Sequence, residues 1–311
     1  MKDTDTVVLE AEYQQVRAEA NAFAAELAAC VDGDEVELPS LPDVVLKIRD
    51  ALAGDDIDMD RLAELAGADP ALTARLMKIA NSSLFSPGSV PPSDVHAAIV
   101  RLGSRMVRNT AIALAAQQVF IGYSSKEILP QVTRVWRHCL HVAALCHLLL
   151  TVKRSEIPPD EGFLAGLLHE IGTLFILMRS KNHSELWSEP DALEAVIDNW
   201  QARVGGRIME QWEFSEALTS AVRDHDSCPL ASGAPISLTE VVAIANYLSI
   251  QTEEAEDFNS LIAGLPDFGS FSLDEETLGF VLTTAHEEVE SLVANLGGRS
   301  AKRQEKLASN A

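Results

Sequence analysis

The spacing of apolar residues predicts a chain built from helices. Near the N-terminus Leu9, Val16, Phe23, Leu27 and Cys30 fall on one helical stripe, because neighbours in this set are three, four or seven residues apart. No stretch keeps the period-two alternation of a strand, so we predict an all-α fold without significant sheet. Turn-forming residues divide the remaining apolar pattern into helices over 42–52, 59–66, 70–81, 94–102, 104–120, 131–152, 161–179, 192–211, 215–224, 238–251 and 273–296.

Two of these helices carry distinct expectations. The segment 161–179 is apolar on nearly every face, which predicts one central, buried helix. The N-terminal helix carries only a short apolar stripe. That stripe either packs on the body of the same chain or forms a seam between two copies, so a homodimer through this helix is the alternative.

The composition predicts a soluble globular protein. Its 311 residues are 47% hydrophobic, which suffices for a full core in one unit or in two lobes. The four cysteines include no Cys-x-x-Cys pair, which favours reduced thiols and a cytoplasmic location. The N-terminus lacks the basic and apolar regions of a signal peptide, and no uninterrupted run of 18 apolar residues occurs, so we expect no membrane partner.

Charge is distributed unevenly along the chain. The formal charge is −23, divided into −13 for 1–70, +1 for 71–223, −14 for 224–298 and +3 for 299–311. A chain of this sign repels polyphosphates, which argues against nucleic acid as a partner. The near-neutral middle contains Arg101, Arg105 and Arg108, whose spacing of four and three predicts one helix face. This face is either solvated or paired within the chain, or it is a docking patch for an acidic partner, a phosphate group or nucleic acid.

Histidines supply the candidate chemistry. His169 and Glu170 are adjacent inside the most apolar segment, where an unpaired charge would be costly. His138 and His141 lie one turn apart on the preceding helix, and His225-Asp226 ends a later one. Imidazoles with carboxylates hold divalent ions in phosphoester hydrolysis, whereas a buried histidine is more often a hydrogen-bonded core residue.

The order of several motifs resembles the HDOD domain, a bacterial signalling module related to the HD phosphohydrolases. The resemblance covers about 38–250. Its matching pieces are Leu38-Pro39-Ser40-Leu41-Pro42, Asp69-Pro70-Ala71-Leu72-Thr73, Ile79-Ala80-Asn81-Ser82, Ala98-Ile99-Val100-Arg101-Leu102-Gly103, Trp136-Arg137-His138 and Phe163-Leu164-Ala165-Gly166-Leu167-Leu168-His169-Glu170-Ile171-Gly172.

The resemblance implies a metal site that has degenerated. HD phosphohydrolases bind metal through a His, a His-Asp pair and a final Asp. Here His138 and His169 match, but Glu170 replaces the paired Asp and Asn246 replaces the last Asp. A neutral amide is a weaker ligand than a carboxylate.

Three further departures support the same expectation. Trp200 is aligned with a position that is often His in relatives, and Thr173 stands where the hydrolases usually have a Lys for the substrate phosphate. His225-Asp226 replaces a His-His pair of some relatives. We therefore expect no catalytic residues, no cofactor and no metal, with a bound iron, manganese or zinc ion as the alternative. The vestigial cluster, hydrogen-bonded within the core, comprises His138, His169, Glu170, His225, Asp226 and Asn246.

What the resemblance implies for function is a non-enzymatic regulatory or scaffold module in bacterial signalling, whose partners are other signalling proteins. The alternative is a metal-dependent phosphohydrolase with an altered ligand set. The expected organisation is an HD-like helical bundle in two lobes: an N-terminal amphipathic helix (1–37), the HDOD domain (38–250, with lobes 38–122 and 130–250), an acidic helical segment completing the second lobe (251–298), and a basic, disordered tail (299–311).

Overall fold

The computed structural model describes residues 2–33, 45, 47–48, 59–82, 90–122, 124–231, 236–255, 261–262 and 264–290. Over these ranges every regular element is helical and none is a strand, which confirms the all-α prediction. The α-helices are α1 (Lys2–Asp32), α2 (Met59–Gly67), α3 (Pro70–Ala80), α4 (Val95–Gly122), α5 (Leu129–Lys153), α6 (Pro159–Leu168), α7 (Ile171–Arg179), α8 (Pro190–Gln211), α9 (Glu216–Asp224), α10 (Leu238–Glu254) and α11 (275–290).

The first lobe is formed by α2, α3 and α4, which pack on one another. Asp69 caps α3: its side-chain oxygen accepts hydrogen bonds from the backbone N–H groups of Ala71 and Leu72, and Pro70 occupies the first helical position. In α4 the helical geometry breaks at Gly103, where φ is 79° and ψ is 160°. Glycine adopts such a φ without a steric penalty, so α4 is two helices joined at this residue.

The second lobe surrounds the antiparallel pair of α5 and α6. Every residue from Cys139 to Leu150 in α5 is buried, as is every residue from Gly162 to His169 in and after α6. α10 packs against both of these helices, and α8 packs against α7 and α9. This burial on all faces explains why these segments show weak amphipathic periodicity in the sequence.

The prediction of one central helix over 161–179 is wrong. α6 ends at Leu168 and α7 begins at Ile171, because Glu170 has a non-helical backbone (φ −98°, ψ 22°). Both helices are buried, so the apolar pattern continues across the break and hides it. The break places His169 and Glu170 at a junction, where their side chains reach groups outside the helix pair.

The N-terminal helix α1 packs along α8. Its buried stripe contains Phe23 and Leu27, each fully buried, and Glu26 forms an ion pair with Arg179 at the end of α7. His183 adds hydrogen-bonding contacts to Glu19 (Nδ1 to Oε1, 2.8 Å) and Glu26 (Nε2 to Oε2, 3.1 Å). The stripe is therefore used within the chain, and the homodimer stays a prediction.

Two segments are long and apolar enough to cross a membrane by length and composition: Leu129–Lys153 and Pro159–Asn182. Their most apolar windows are 67% and 83% buried against the rest of the protein. Packing within the fold accounts for their apolar character. The predicted helix over 42–52 lies largely outside the described residues, as do the end of the predicted 273–296 helix and the tail 299–311.

A glycine at the start of α7 permits the close approach of α7 to α8. A Cβ atom on Gly172 would overlap the carbonyl oxygen of Gln201 and would lie 2.9 Å from the backbone nitrogen of Gly205. We expect Gly172→Ala to lower the free energy of unfolding by about 1 to 3 kcal/mol, because backbone cannot yield as a flexible side chain does. Urea denaturation followed by circular dichroism measures it.

Gly67→Ala is the matched control, since a Cβ atom there meets only Val95 Cγ1 at 3.9 Å. We expect this change to alter stability by less than about 0.5 kcal/mol. Equal losses in the two variants would contradict the assigned role of Gly172.

A buried histidine links α5 to α10 and gives the fold a pH dependence. His141 Nδ1 lies 2.9 Å from Ser249 Oγ, and burial, together with His138, His286 and Arg137, lowers the pKa of His141 to about 4. Between pH 6.5 and 4 the unfolded chain binds a proton at this position that the folded chain does not, so stability falls as pH falls.

We expect His141→Asn, which does not titrate, to remove on the order of 2 kcal/mol of the stability change between pH 6.5 and pH 5. Denaturation curves of both proteins at a series of pH values measure the difference. If the gap between wild type and variant stays constant over this range, His141 does not titrate as inferred.

Candidate functional site

Three helices bring three histidines together in the second lobe. His138 projects from α5, His169 follows the last residue of α6, and His225 follows the last residue of α9. The ring centroids of His138 and His169 are 5.2 Å apart, and those of His169 and His225 are 5.0 Å apart. The sequence-predicted histidines therefore form one cluster, with His169 at its centre.

The two innermost histidines are oriented by the backbone. His169 Nδ1 lies 2.7 Å from the carbonyl oxygen of Gly166, and His225 Nδ1 lies 3.0 Å from that of Val222. A carbonyl only accepts, so in both rings Nδ1 carries a proton. Both Nε2 atoms are buried: that of His169 has no hydrogen-bond partner among the described residues, whereas that of His225 lies 3.2 Å from Asp226 Oδ1.

His138 is bonded differently. Its Nε2 lies 2.8 Å from Asn246 Oδ1, and its Nδ1 lies 3.1 Å from Ser249 Oγ. One proton arrangement satisfies the chain: His141 Nδ1 donates to Ser249, Ser249 donates to His138 Nδ1, and His138 Nε2 donates to Asn246. In this state His138 presents no lone pair to a metal ion.

Two carboxylates flank the imidazoles. Glu170 Oε1 lies 3.9 Å from His169 Nε2, and Asp226 Oδ1 lies 3.2 Å from His225 Nε2. Gln201 donates a hydrogen bond from its amide nitrogen to Asp226. The potential ligand atoms of His138, His169 and Glu170 all lie within 4.8 Å of one another.

These contacts shift the pKa values in opposite directions. Burial, with added repulsion from His225 and His138, holds the pKa of His169 well below its usual range, so this ring is neutral. Burial also disfavours a charge on His225, but Asp226 and Glu170 outweigh it and raise the pKa of that histidine. The contact with His225 in turn lowers the pKa of Asp226, so this carboxylate is charged.

The donor set fits a divalent ion in part. The unpartnered Nε2 atom of His169, the imidazole of His138 and the carboxylate of Glu170 are ligand types that iron, manganese or zinc accept, and their potential ligand atoms lie close together. Fixing of Nδ1 by a backbone carbonyl is also usual for metal-binding histidines. Asn246 supplies no charge and holds the Nε2 atom of His138. The expectation of a hydrogen-bonded core cluster describes His138, Asn246 and the contact of His225 with Asp226, but not the Nε2 atom of His169.

A cavity of about 670 Å³ opens over this cluster. His138, Glu170, Thr173, Asp226 and Asn246 contribute to its lining. Five carboxylates line it in all, and its only described lysine or arginine is Arg134. The resemblance aligns Thr173 with a phosphate-binding lysine of the hydrolases. Thr173 lines this cavity, so this position contributes a hydroxyl group and no positive charge.

One residue facing the site was assigned wrongly. Trp200 packs away from the cavity, beside α1, where Arg203 Cζ lies 4.7 Å from the centre of its ring. Gln201, one residue further along α8, lines the cavity instead, because one residue turns a helix by about 100°. Ser249 was also missed. Its place three residues after Asn246, on the same face of α10, is the pattern that could have indicated it.

The arginine patch does not form as predicted. The break at Gly103 separates Arg101 from Arg105 and Arg108, so the expectation of one continuous helix face is wrong. Arg101 donates hydrogen bonds to the carbonyl oxygens of Ala80 (3.3 Å) and Val90 (2.7 Å).

The other two arginines also contact groups within the chain. Arg105 Nε lies 3.6 Å from Asp160 Oδ2, and Arg108 donates to Asn109 Oδ1 at 3.3 Å. Burial lowers the pKa of Arg108. A docking role for this patch, toward protein or nucleic acid, stays a prediction.

Solved structures of similar fold are described either as phosphohydrolases or as HDOD and signal transduction proteins. A candidate metal-dependent phosphohydrolase from Shewanella amazonensis SB2B is 26% identical, with 88% of this chain and 99% of that chain covered and a TM-score of 0.72. An HDOD domain protein of unknown function from Geobacter sulfurreducens is 24% identical, with 92% and 96% covered and a TM-score of 0.59. A candidate signal transduction protein from Marinobacter aquaeolei VT8 is 20% identical, with 93% and 65% covered and a TM-score of 0.55.

Sequence comparison points to the same family. An uncharacterized protein of Treponema pallidum (strain Nichols) is 22% identical over 241 residues, which are 75% of this chain. The match covers 45% of that protein, so this chain spans about half the length of the curated relative. The profile of the HDOD domain matches residues 38–228, the range that contains His138, His169 and His225. This chain therefore belongs to the HDOD domain family.

Proposed function

We propose that this HDOD protein is a non-enzymatic regulatory module of signal transduction, which acts in the cytoplasm by binding other signalling proteins. The observation that carries the proposal is the charge of the cavity over the histidine cluster. Five carboxylates line it against a single arginine, Arg134. A phosphoester is itself an anion, so this lining opposes substrate binding at the place where hydrolysis would occur.

Loss of the transition-state contacts supports the same conclusion. Phosphoryl transfer requires cations that offset charge on the phosphoryl oxygens. Thr173 brings a hydroxyl to the position where a lysine would serve, and Asn246 brings a neutral amide where a carboxylate would hold the metal. Removing a cation and an anionic ligand from one site weakens both substrate binding and metal binding.

The second candidate is a metal-dependent phosphohydrolase with an altered ligand set. The observation in its favour is the buried Nε2 atom of His169, which has no hydrogen-bond partner among the described residues and belongs to a group with His138 and Glu170 whose ligand atoms lie within 4.8 Å of one another. In this reading His169 and Glu170, with His138 in its other proton arrangement, would hold an iron, manganese or zinc ion, and the ion would supply Lewis acidity and an activated water. The 26% identity to the candidate phosphohydrolase from Shewanella amazonensis SB2B agrees with it.

Phosphoesterase assays separate the two candidates. We expect the purified protein, after reconstitution with Fe²⁺, Mn²⁺ or Zn²⁺ in turn, to hydrolyse bis(p-nitrophenyl) phosphate and nucleotide esters no faster than His169→Ala treated in the same way. The reason is that the acidic lining excludes the anionic substrate. Turnover that requires metal and disappears in His169→Ala would establish the second candidate.

Complementation in the source organism tests the regulatory role itself. The gene is deleted, the change in transcript profile is recorded, and the strain is rescued with wild type or with His169→Gln. If signalling depends on protein contacts at the surface, the variant restores the profile as wild type does, because His169 is fully buried. Failure of a variant that is folded and as abundant as wild type would assign the regulatory output to the cluster.

A further inference from the structure

The cavity over the histidine cluster has its own chemical preference, separate from the family assignment and from catalysis. We propose that it binds an aliphatic amine, that is, a small organic cation whose ammonium groups are joined by methylene segments. This inference goes beyond the proposed function, because such a ligand could be bound by a module with or without hydrolytic activity. Three properties of the cavity support it: its charge, its surplus of acceptors and its apolar wall.

The charge comes from carboxylates on α8 and α10 and from two carboxylates closer to the histidines. Glu194 and Asp198 lie one turn apart on α8 and are exposed at the cavity, and Glu253 joins them from α10. None of these three forms an ion pair with a described residue. Glu170 and Asp226 add two carboxylates closer to the histidines, and Arg134 alone opposes them. Unpaired carboxylates that converge on one cavity favour a cationic occupant.

The surplus of acceptors is seen at Gln201. This residue lines the cavity and is only 8% exposed, and its amide nitrogen is used by Asp226. Its amide oxygen is buried and has no hydrogen-bond donor among the described residues. A buried acceptor without a donor is costly, and a ligand that donates hydrogen bonds removes the cost. An ammonium group has only hydrogen-bond donors, so it suits this acceptor. An anionic group such as a phosphate offers mainly acceptors and would leave the oxygen without a donor.

The apolar wall argues for an organic cation over a hydrated ion. Leu177 from α7, together with Leu193 and Ile197 from α8, lines the cavity beside the carboxylates. At the opening Ile250 keeps 42% of its surface exposed, which is unusual for a large aliphatic residue in this fold. Methylene groups gain free energy by covering such surface, whereas a hydrated metal ion leaves it in contact with water. The volume of about 670 Å³ lies within the range of about 300 to 1,000 Å³ typical of small-molecule sites.

Calorimetric titration with spermidine tests the proposal. The protein is first freed of metal, and the ionic strength is kept near 0.15 M so that diffuse attraction to the net charge of −23 is screened. We expect saturable binding of one spermidine per chain. We expect Glu194→Gln/Asp198→Asn to raise the Kd at least about tenfold, because both charge-assisted contacts are lost. A diol of equal chain length should not bind.

The matched control is Glu276→Gln/Glu287→Gln, which removes the same two charges from exposed positions on α11, away from the cavity. We expect its Kd to stay within about twofold of wild type. All four positions are exposed, so thermal midpoints should confirm that both double variants are folded. Absence of saturable spermidine binding, or an equal loss in both double variants, would overturn the proposal.

The same preparations separate this inference from the proposed function. Metal-dependent phosphoesterase turnover would contradict the non-enzymatic module and leave spermidine binding unaffected. If the protein neither binds spermidine nor hydrolyses phosphoesters, the proposed amine site is wrong and the proposal of a non-enzymatic module is unaffected.

Discussion

The site depends on a close backbone contact between α7 and α8. Gly172 lies against the carbonyl of Gln201, and nothing larger than hydrogen fits there without displacing the backbone. This contact fixes the start of α7 directly after the junction that holds His169 and Glu170. It also brings Gln201 within reach of Asp226, and so sets the position of the carboxylate beside His225. One glycine therefore determines how four polar side chains meet in an apolar interior.

The cluster combines features of a metal site and of a hydrogen-bonded core. His169 and His225 each donate from Nδ1 to a backbone carbonyl, as metal-binding histidines often do. His138 has instead entered a chain of hydrogen bonds that runs through Ser249 and Asn246. The amide oxygen of Asn246 accepts from the Nε2–H group of His138, and a ring that carries this proton has no lone pair at Nε2 for a metal ion. The cavity lining then determines which ligands reach the cluster.

The fold class and the main members of the histidine cluster could be predicted from the sequence. Features that leave the hydrophobic periodicity unchanged could not. The apolar pattern continues from α6 into α7 because both are buried on all faces, so the junction at His169 was invisible to it. The resemblance assigned Trp200 to the site, whereas the next residue on α8, Gln201, lines the cavity. Alignment with a distant family cannot distinguish two adjacent positions. The break at Gly103 was predicted, because a glycine separates the helices over 94–102 and 104–120, but its effect on the arginine face required the backbone geometry. Glu194 and Asp198 lie on α8 but Glu253 lies on α10, so no single sequence motif contains all the carboxylates at the cavity.

The attachment of α1 has a mechanical consequence. Glu26 is paired with Arg179, the last residue of α7, and the first turn of α7 follows Glu170. A helix of 31 residues is about 46 Å long, so α1 is a lever whose far end lies well away from its point of attachment. A force applied at that end would act on α7, the helix that begins directly after His169 and Glu170. A partner that holds the N-terminal end of α1 would therefore act on the helix next to the histidine cluster.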